Sequence, residues 1–121
     1  VNNAGIVRDR MFVSATIDEW DATMHVHLRG HFCVSRHAVD YWRAKQKAGT
    51  NPDARIINTS SGAGLQGSIA QAAYSTAKGG IAALTLVQAA ELARYGITVN
   101  CLAPAARTAA TAVRRSRSVD R

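Results

Sequence analysis

Arg55-Ile-Ile-Asn-Thr-Ser60 is an apolar, β-branched run that stops abruptly at Ser61-Gly-Ala-Gly-Leu-Gln-Gly67. It reads as a buried strand entering a glycine-rich loop. Beyond the loop, residues from about Ala72 to Tyr95 carry the best helical pattern in the chain, and Gly96 supplies a C-cap. Ile97-Thr-Val-Asn-Cys-Leu102 is a second strand, and Ala103-Pro104 opens a loop. A strand–helix–strand order of this length predicts parallel pairing, because antiparallel neighbours need only a short turn.

Upstream, Val1-Asn-Asn-Ala-Gly5 reads as a strand end running into a tight turn. A helix is predicted from about Ile17, where Asp18 and Glu19 complement the helix dipole. Trp20, Met24, His27 and Leu28 recur at helical spacing, and a second helical stretch runs through Phe32, Val39 and Trp42 to Gly49. Gly30 marks a join or a close approach between them. The whole is an α/β chain with a parallel sheet and no internal repeat.

Composition bounds the function classes. A hydrophobic content of 47% with 19% charged residues is that of a globular domain. There is neither a membrane-length apolar run nor a signal-peptide opening. Cys33 and Cys101 lack metal-ligand or redox-motif spacing and read as reduced core thiols, which fits a cytoplasmic protein. The formal charge of +7 is concentrated in residues 107–121, where five arginines face one aspartate. A solvated tail explains that excess, which is expected to be disordered. The chain lacks the basic–aromatic interleaving of a nucleic-acid module, so no nucleic-acid partner is expected.

Tyr74 and Lys78 are four residues apart, just over one helical turn, so both project from one face about 6 Å apart along the axis. An ammonium beside a phenol favours the phenolate and draws a pKa of about 10 towards neutrality, which suits general acid–base work. Ser61, thirteen residues before Tyr74, comes from the neighbouring strand end and can hold a carbonyl against the phenol. These residue types point to carbonyl reduction or alcohol oxidation. Gly62-Ala-Gly64-Leu-Gln-Gly67 matches the G-x-G-x-x-G pattern, but Glu91, the nearest acidic candidate, falls inside a helix. The glycines are expected instead to let the backbone turn sharply below Ser61.

Ser61, Tyr74 and Lys78, with Asn2-Asn-Ala-Gly5 before them and Asn100 to Pro104 after them, resemble the short-chain dehydrogenase/reductase family. The resemblance covers residues 1 to about 106 and is strongest to actinobacterial members and to the dehydrogenase part of peroxisomal multifunctional enzymes. It implies a partial Rossmann-like, doubly wound parallel sheet in which the family's first three strands and its last strand are missing. The family's phosphate loop and the residues that select NAD or NADP would precede Val1. Tyr74 would be the acid/base, Lys78 would hold the nicotinamide ribose, and Ser61 would orient the carbonyl. Asn3, Ala4 and Gly5 would form the turn beside the cofactor's adenosine side, with Pro104 flanking the nicotinamide. His27 stands where the family has an asparagine that holds a relay water, and is either its replacement or a structural histidine. Ala105 replaces the usual glycine after the proline, and Lys45 to Asp53 is a longer surface loop. The implied cofactor is NAD or NADP and the implied substrate an alcohol, a ketone or a 3-hydroxyacyl/3-oxoacyl thioester. The two long helices, about 28–48 and 72–95, are similar to those that pair subunits in the family. They imply a homo-oligomer, or a non-catalytic piece that docks onto an intact paralogue. Alone, the chain is expected to be marginally stable.

Overall fold

A computed structural model describes residues 1–105; the arginine-rich segment lies outside the described residues. Helix α1 (Ile17–Met24) is capped by Thr16, whose side chain accepts from the Glu19 amide. A single π turn, His25–Arg29, then joins it to helix α2 (Gly30–Lys47). Gly30 donates back to the His25 carbonyl, five residues earlier, so this glycine is the join and the chain continues through it. Strand β1 (Ala54–Thr59) follows, then a short helix α3 (Gly62–Gln66), the long helix α4 (Ala72–Leu92), a 3-10 turn (Ala93–Tyr95) and strand β2 (Ile97–Leu102).

The strands β1 and β2 are parallel, in register from Ala54 opposite Ile97 to Thr59 opposite Leu102. On the other edge of β1, Asn2 forms a parallel bridge with Asn58 and its amide donates to the Ile57 carbonyl at 2.8 Å. Val1–Asn2 is therefore a strand end, as its sequence predicts. Gly96 closes the crossover with φ of +72°, the left-handed conformation that glycine adopts without strain.

The core is thin: Val39, Ala54, Ile56, Ile97 and Val99, flanked by Trp42, Ala89, Leu92 and Tyr95. A polar strut crosses it. Asn58 accepts from Asn2 Nδ2 and donates to Thr85 Oγ1 and Gln88 Oε1, at 2.9–3.0 Å. Asn2 Nδ2 also reaches Ser35 Oγ, so the sheet is bonded through Asn2 and Asn58 to both α2 and α4. Large apolar side chains remain uncovered, among them Phe32, Leu86, Val87 and Leu102. Cys33 and Cys101 are free thiols but are partly exposed, a correction to the core placement expected of them.

The glycine-rich stretch after β1 also differs from expectation. It is helix α3, with Ser61 as its N-cap. A Cβ on Gly64 would lie 2.6 Å from the Lys78 carbonyl carbon and Cβ, and one on Gly79 would lie 2.9 Å from the Gly64 oxygen. These glycines let two helix backbones touch. The turn itself is left to Gly67, at φ of +76°.

Candidate active site

Parallel strands end on the same side, so the segments leaving them gather along one sheet edge. Asn3–Gly5 leave the bridge at Asn2, Ser61 leaves β1, and Pro104 leaves β2. All three expected contributions thus occupy the carboxyl edge. Asn3, Ala4, Gly5 and Pro104 are solvent-exposed there.

Lys78 is the anchor. Its side chain is buried in α4, and its ammonium donates to the Thr59 carbonyl at 2.8 Å. Its own backbone carbonyl accepts from Ser60 Oγ at 2.7 Å. The two residues before Ser61 therefore grip Lys78 at both ends, which sets Ser61 beside α4. Burial pushes the Lys78 ammonium below its usual range, with a smaller opposing pull from Cys101. An ammonium has three donors, and Thr59 uses one, so donors remain for ribose hydroxyls.

Tyr74 lies one turn earlier, with Lys78 Nζ 5.7 Å from its ring centroid. Its hydroxyl has no hydrogen-bond partner among the described residues. Ser61 Oγ accepts from the Ala63 amide at 3.2 Å. That cap uses an oxygen lone pair and leaves the hydroxyl hydrogen available to an external acceptor.

His27 is 2% exposed, and its ring meets Tyr74 edge-on at 5.3 Å between centroids. Its Nε2 lies 2.6 Å from the Ile6 carbonyl oxygen and 3.0 Å from the Ile6 amide. The shorter contact requires a proton on Nε2, which leaves Nδ1 a lone pair, buried and without a partner. Burial lowers its pKa, the Ile6 bond opposes that, and Lys78 adds a smaller lowering. The ring is seated because Gly5 has no side chain: a Cβ there would be 2.5 Å from His27 Cε1.

The chain matches the family model for short chain dehydrogenases over residues 1–120. It is 54% identical over 114 residues to the hydroxyacyl-CoA dehydrogenase ChsB1 of Mycobacterium tuberculosis, covering 93% of this chain and 36% of that protein. It is 47% identical over 111 residues to the peroxisomal hydratase-dehydrogenase-epimerase of Saccharomyces cerevisiae, covering 92% of this chain and 12% of that one. A crystal structure of a short chain dehydrogenase from Mycobacterium avium superimposes with a TM-score of 0.85 at 64% identity, over 88% of this chain and 37% of that chain. The chain thus spans roughly a third of the length of the first and third of these relatives. With its strand order, its carboxyl-edge residues and this match over nearly every position, the chain belongs to the short-chain dehydrogenase family, an oxidoreductase family that uses NAD or NADP.

Proposed function

We propose that this chain supplies the acid–base and carbonyl-orienting side chains of an NAD(P)-dependent oxidoreductase acting on a 3-hydroxyacyl or 3-oxoacyl thioester. The observation that carries the reading is the placement of two unspent hydroxyls, Tyr74 and Ser61, beside a buried lysine whose position is fixed from both ends. The name of its mycobacterial relative supports the thioester class.

In the oxidative direction Tyr74 oxygen takes the proton of the substrate hydroxyl as the C–O bond becomes a carbonyl; in reduction it returns that proton. Ser61 donates its hydroxyl hydrogen to the same substrate oxygen and fixes its direction. The Lys78 ammonium stabilises negative charge growing on the phenol oxygen and offers its remaining N–H groups to the cofactor ribose. A nicotinamide cofactor held beside Lys78 would supply the hydride chemistry. Asn3, Ala4, Gly5 and Pro104 border the cofactor, and His27, through its unpartnered Nδ1, joins the proton path. Residues 1–106 form one catalytic unit and residues 107–121 a basic tail. Oxidation of reduced nicotinamide with a β-ketoacyl thioester, abolished by Tyr74→Phe with the fold retained, is the expected result. Undiminished turnover in that variant refutes the assignment.

A second reading rests on a different observation. The groove between α1, the π turn and the start of α2 on one side and α4 on the other is lined by Met24, Leu28, Phe32, Ala83, Leu84 and Val87, rimmed by Asp21, His25 and Arg29, an apolar strip suited to a second subunit or to an intact paralogue. Co-purification with a full-length reductase, in a chain without turnover of its own, favours that reading over catalysis.

A further inference from the structure

His31 is the most deeply buried titratable side chain in α2, at 1% exposure, and the mechanism above does not use it. Its Nδ1 lies 2.6 Å from the His27 carbonyl oxygen, which can only accept, so Nδ1 carries the proton. Its Nε2 accepts the Thr59 amide at 3.3 Å, so it keeps its lone pair. One neutral tautomer satisfies both bonds. The two ends of this bridge are not arbitrary. His27 is the π-turn residue whose ring meets Tyr74, and Thr59 is the residue whose carbonyl receives the Lys78 ammonium.

We infer that His31 is a positioning residue for Lys78: it holds the end of β1 against the π turn, so that the Thr59 carbonyl stays aimed at the buried ammonium. The inference rests on the proposed role of Lys78 but concerns a bond that exists whether or not the chain turns over. Thr59 is the last residue of β1, and its amide has the His31 imidazole as its acceptor. Without that acceptor the strand end, still held by the Ser60 amide's bond to the Leu102 carbonyl, is no longer tied to the π turn, and the Thr59 carbonyl loosens its aim at Nζ. Burial lowers the pKa of His31; the His27 and Asn2 backbones oppose that and the charges of Lys78 and His27 reinforce it, in keeping with the neutral form the bridge requires. The titratable groups facing Lys78 are Tyr74 on α4, His27 and His31 across from it, and Cys101 on β2.

The experiment exploits a sequence with three lysines, Lys45, Lys47 and Lys78. After reductive 13C-methylation, Lys78 is assigned by its loss in Lys78→Met, and its titration midpoint is followed by NMR in His31→Gln, His31→Asn and His31→Leu. The glutamine amide extends to the Nε2 position and keeps an acceptor for Thr59. The asparagine amide ends near Nδ1 and keeps only the bond to His27. An ammonium deprived of its carbonyl is less favoured, so the midpoint falls by about 0.5 pH unit or more in Asn and Leu and stays near the parent in Gln. Equal midpoints in Asn and the parent, or equal shifts in Gln and Asn, overturn the inference; should Leu fail to fold, the Gln and Asn pair decides. In the turnover assay the same order is expected in kcat, about tenfold down for Asn, with KM within twofold. Loss of the Tyr74 assignment would silence the turnover comparison, and the Lys78 midpoints would still decide the role of His31.

Discussion

Replacing Gly5 by alanine tests whether the turn after the first strand end is shaped by the His27 ring. Gly5 does not occupy the left-handed region, so alanine meets no backbone penalty there; the new methyl alone makes the difference. It would sit 2.5 Å from Cε1 and 3.2 Å from Nδ1 of His27. Carbon atoms rest about 3.5–4.0 Å apart, so the ring must retreat by roughly 1 Å. It has little room to do so, since Nε2 is bonded to Ile6 and the ring edge abuts Tyr74. Overpacking of this kind costs about 1–3 kcal/mol, and losing the Ile6 bond adds about 1 kcal/mol.

A total of roughly 2–4 kcal/mol lowers the melting temperature by about 10–25 °C in a domain of this size. Urea titration followed by the fluorescence of Trp20 and Trp42 measures the loss directly. The decisive arm is a double-mutant cycle. In a His27→Ala background the methyl enters vacated space, and Gly5→Ala is expected to cost less than about 0.5 kcal/mol. An equal penalty in both backgrounds, or a single variant as stable as the parent, would falsify the reasoning.

Gly64→Ala drives a methyl to within 2.6 Å of the α4 backbone at Lys78, where nothing flexible can yield; a loss of about 2–3 kcal/mol in chemical denaturation is expected and, on the proposed function, a fall in kcat as α3 and its cap Ser61 are displaced from α4. Asn58→Leu strands Gln88 Oε1 and leaves Thr85 only its bond to the Ile81 carbonyl, and should cost about 2 kcal/mol by the same measurement, whereas a loss under about 1 kcal/mol would mean water replaces the strut. His27 and His31 both have pKa values lowered from 6.5 in the folded chain. The unfolded state therefore binds more protons below pH 6.5, and stability is lost as pH falls from there through the folded values. Urea midpoints between pH 4.5 and 7.5 should rise with pH on about that schedule, and a flat profile contradicts it.

What the sequence discloses is what local spacing encodes. Tyr74 and Lys78 declare themselves because a helix turns every 3.6 residues, and β1 and β2 because apolar β-branched runs end at Ser61 and Pro104. Gly96 is legible as a cap for the same reason. Groups whose partners are remote in sequence stay hidden. Gly64 and Gly79 are ordinary loop and helix glycines until two backbones are seen to touch. Thr59 and Ser60 hold Lys78 through a backbone carbonyl and a hydroxyl, and neither contact leaves a mark in composition or period. The π turn at His25–Arg29 follows no residue pattern other than Gly30 at its end, so the meeting of the His27 ring with Tyr74 could not be read in advance.

The polar groups of this edge fall into two sets, and the division itself bears on function. Asn2, Asn58, Thr85, Gln88, Ser60, Thr59 and His31 spend their donors and acceptors on one another or on backbone, as buried polar groups must. The Tyr74 hydroxyl, the Ser61 hydroxyl hydrogen, two Lys78 donors and His27 Nδ1 spend nothing on each other, although they are gathered within one or two turns of α4 and the strand end beside it. A fold that satisfies so many polar groups in a thin core has the means to satisfy these as well. Of the unpartnered atoms among these only His27 Nδ1 is buried; the Tyr74 and Ser61 hydroxyls remain open to solvent and so to a ligand bearing hydroxyl and carbonyl oxygens. The unspent set, more than any one residue in it, is the structural reason to look for an oxygen-bearing substrate and a ribose at this edge.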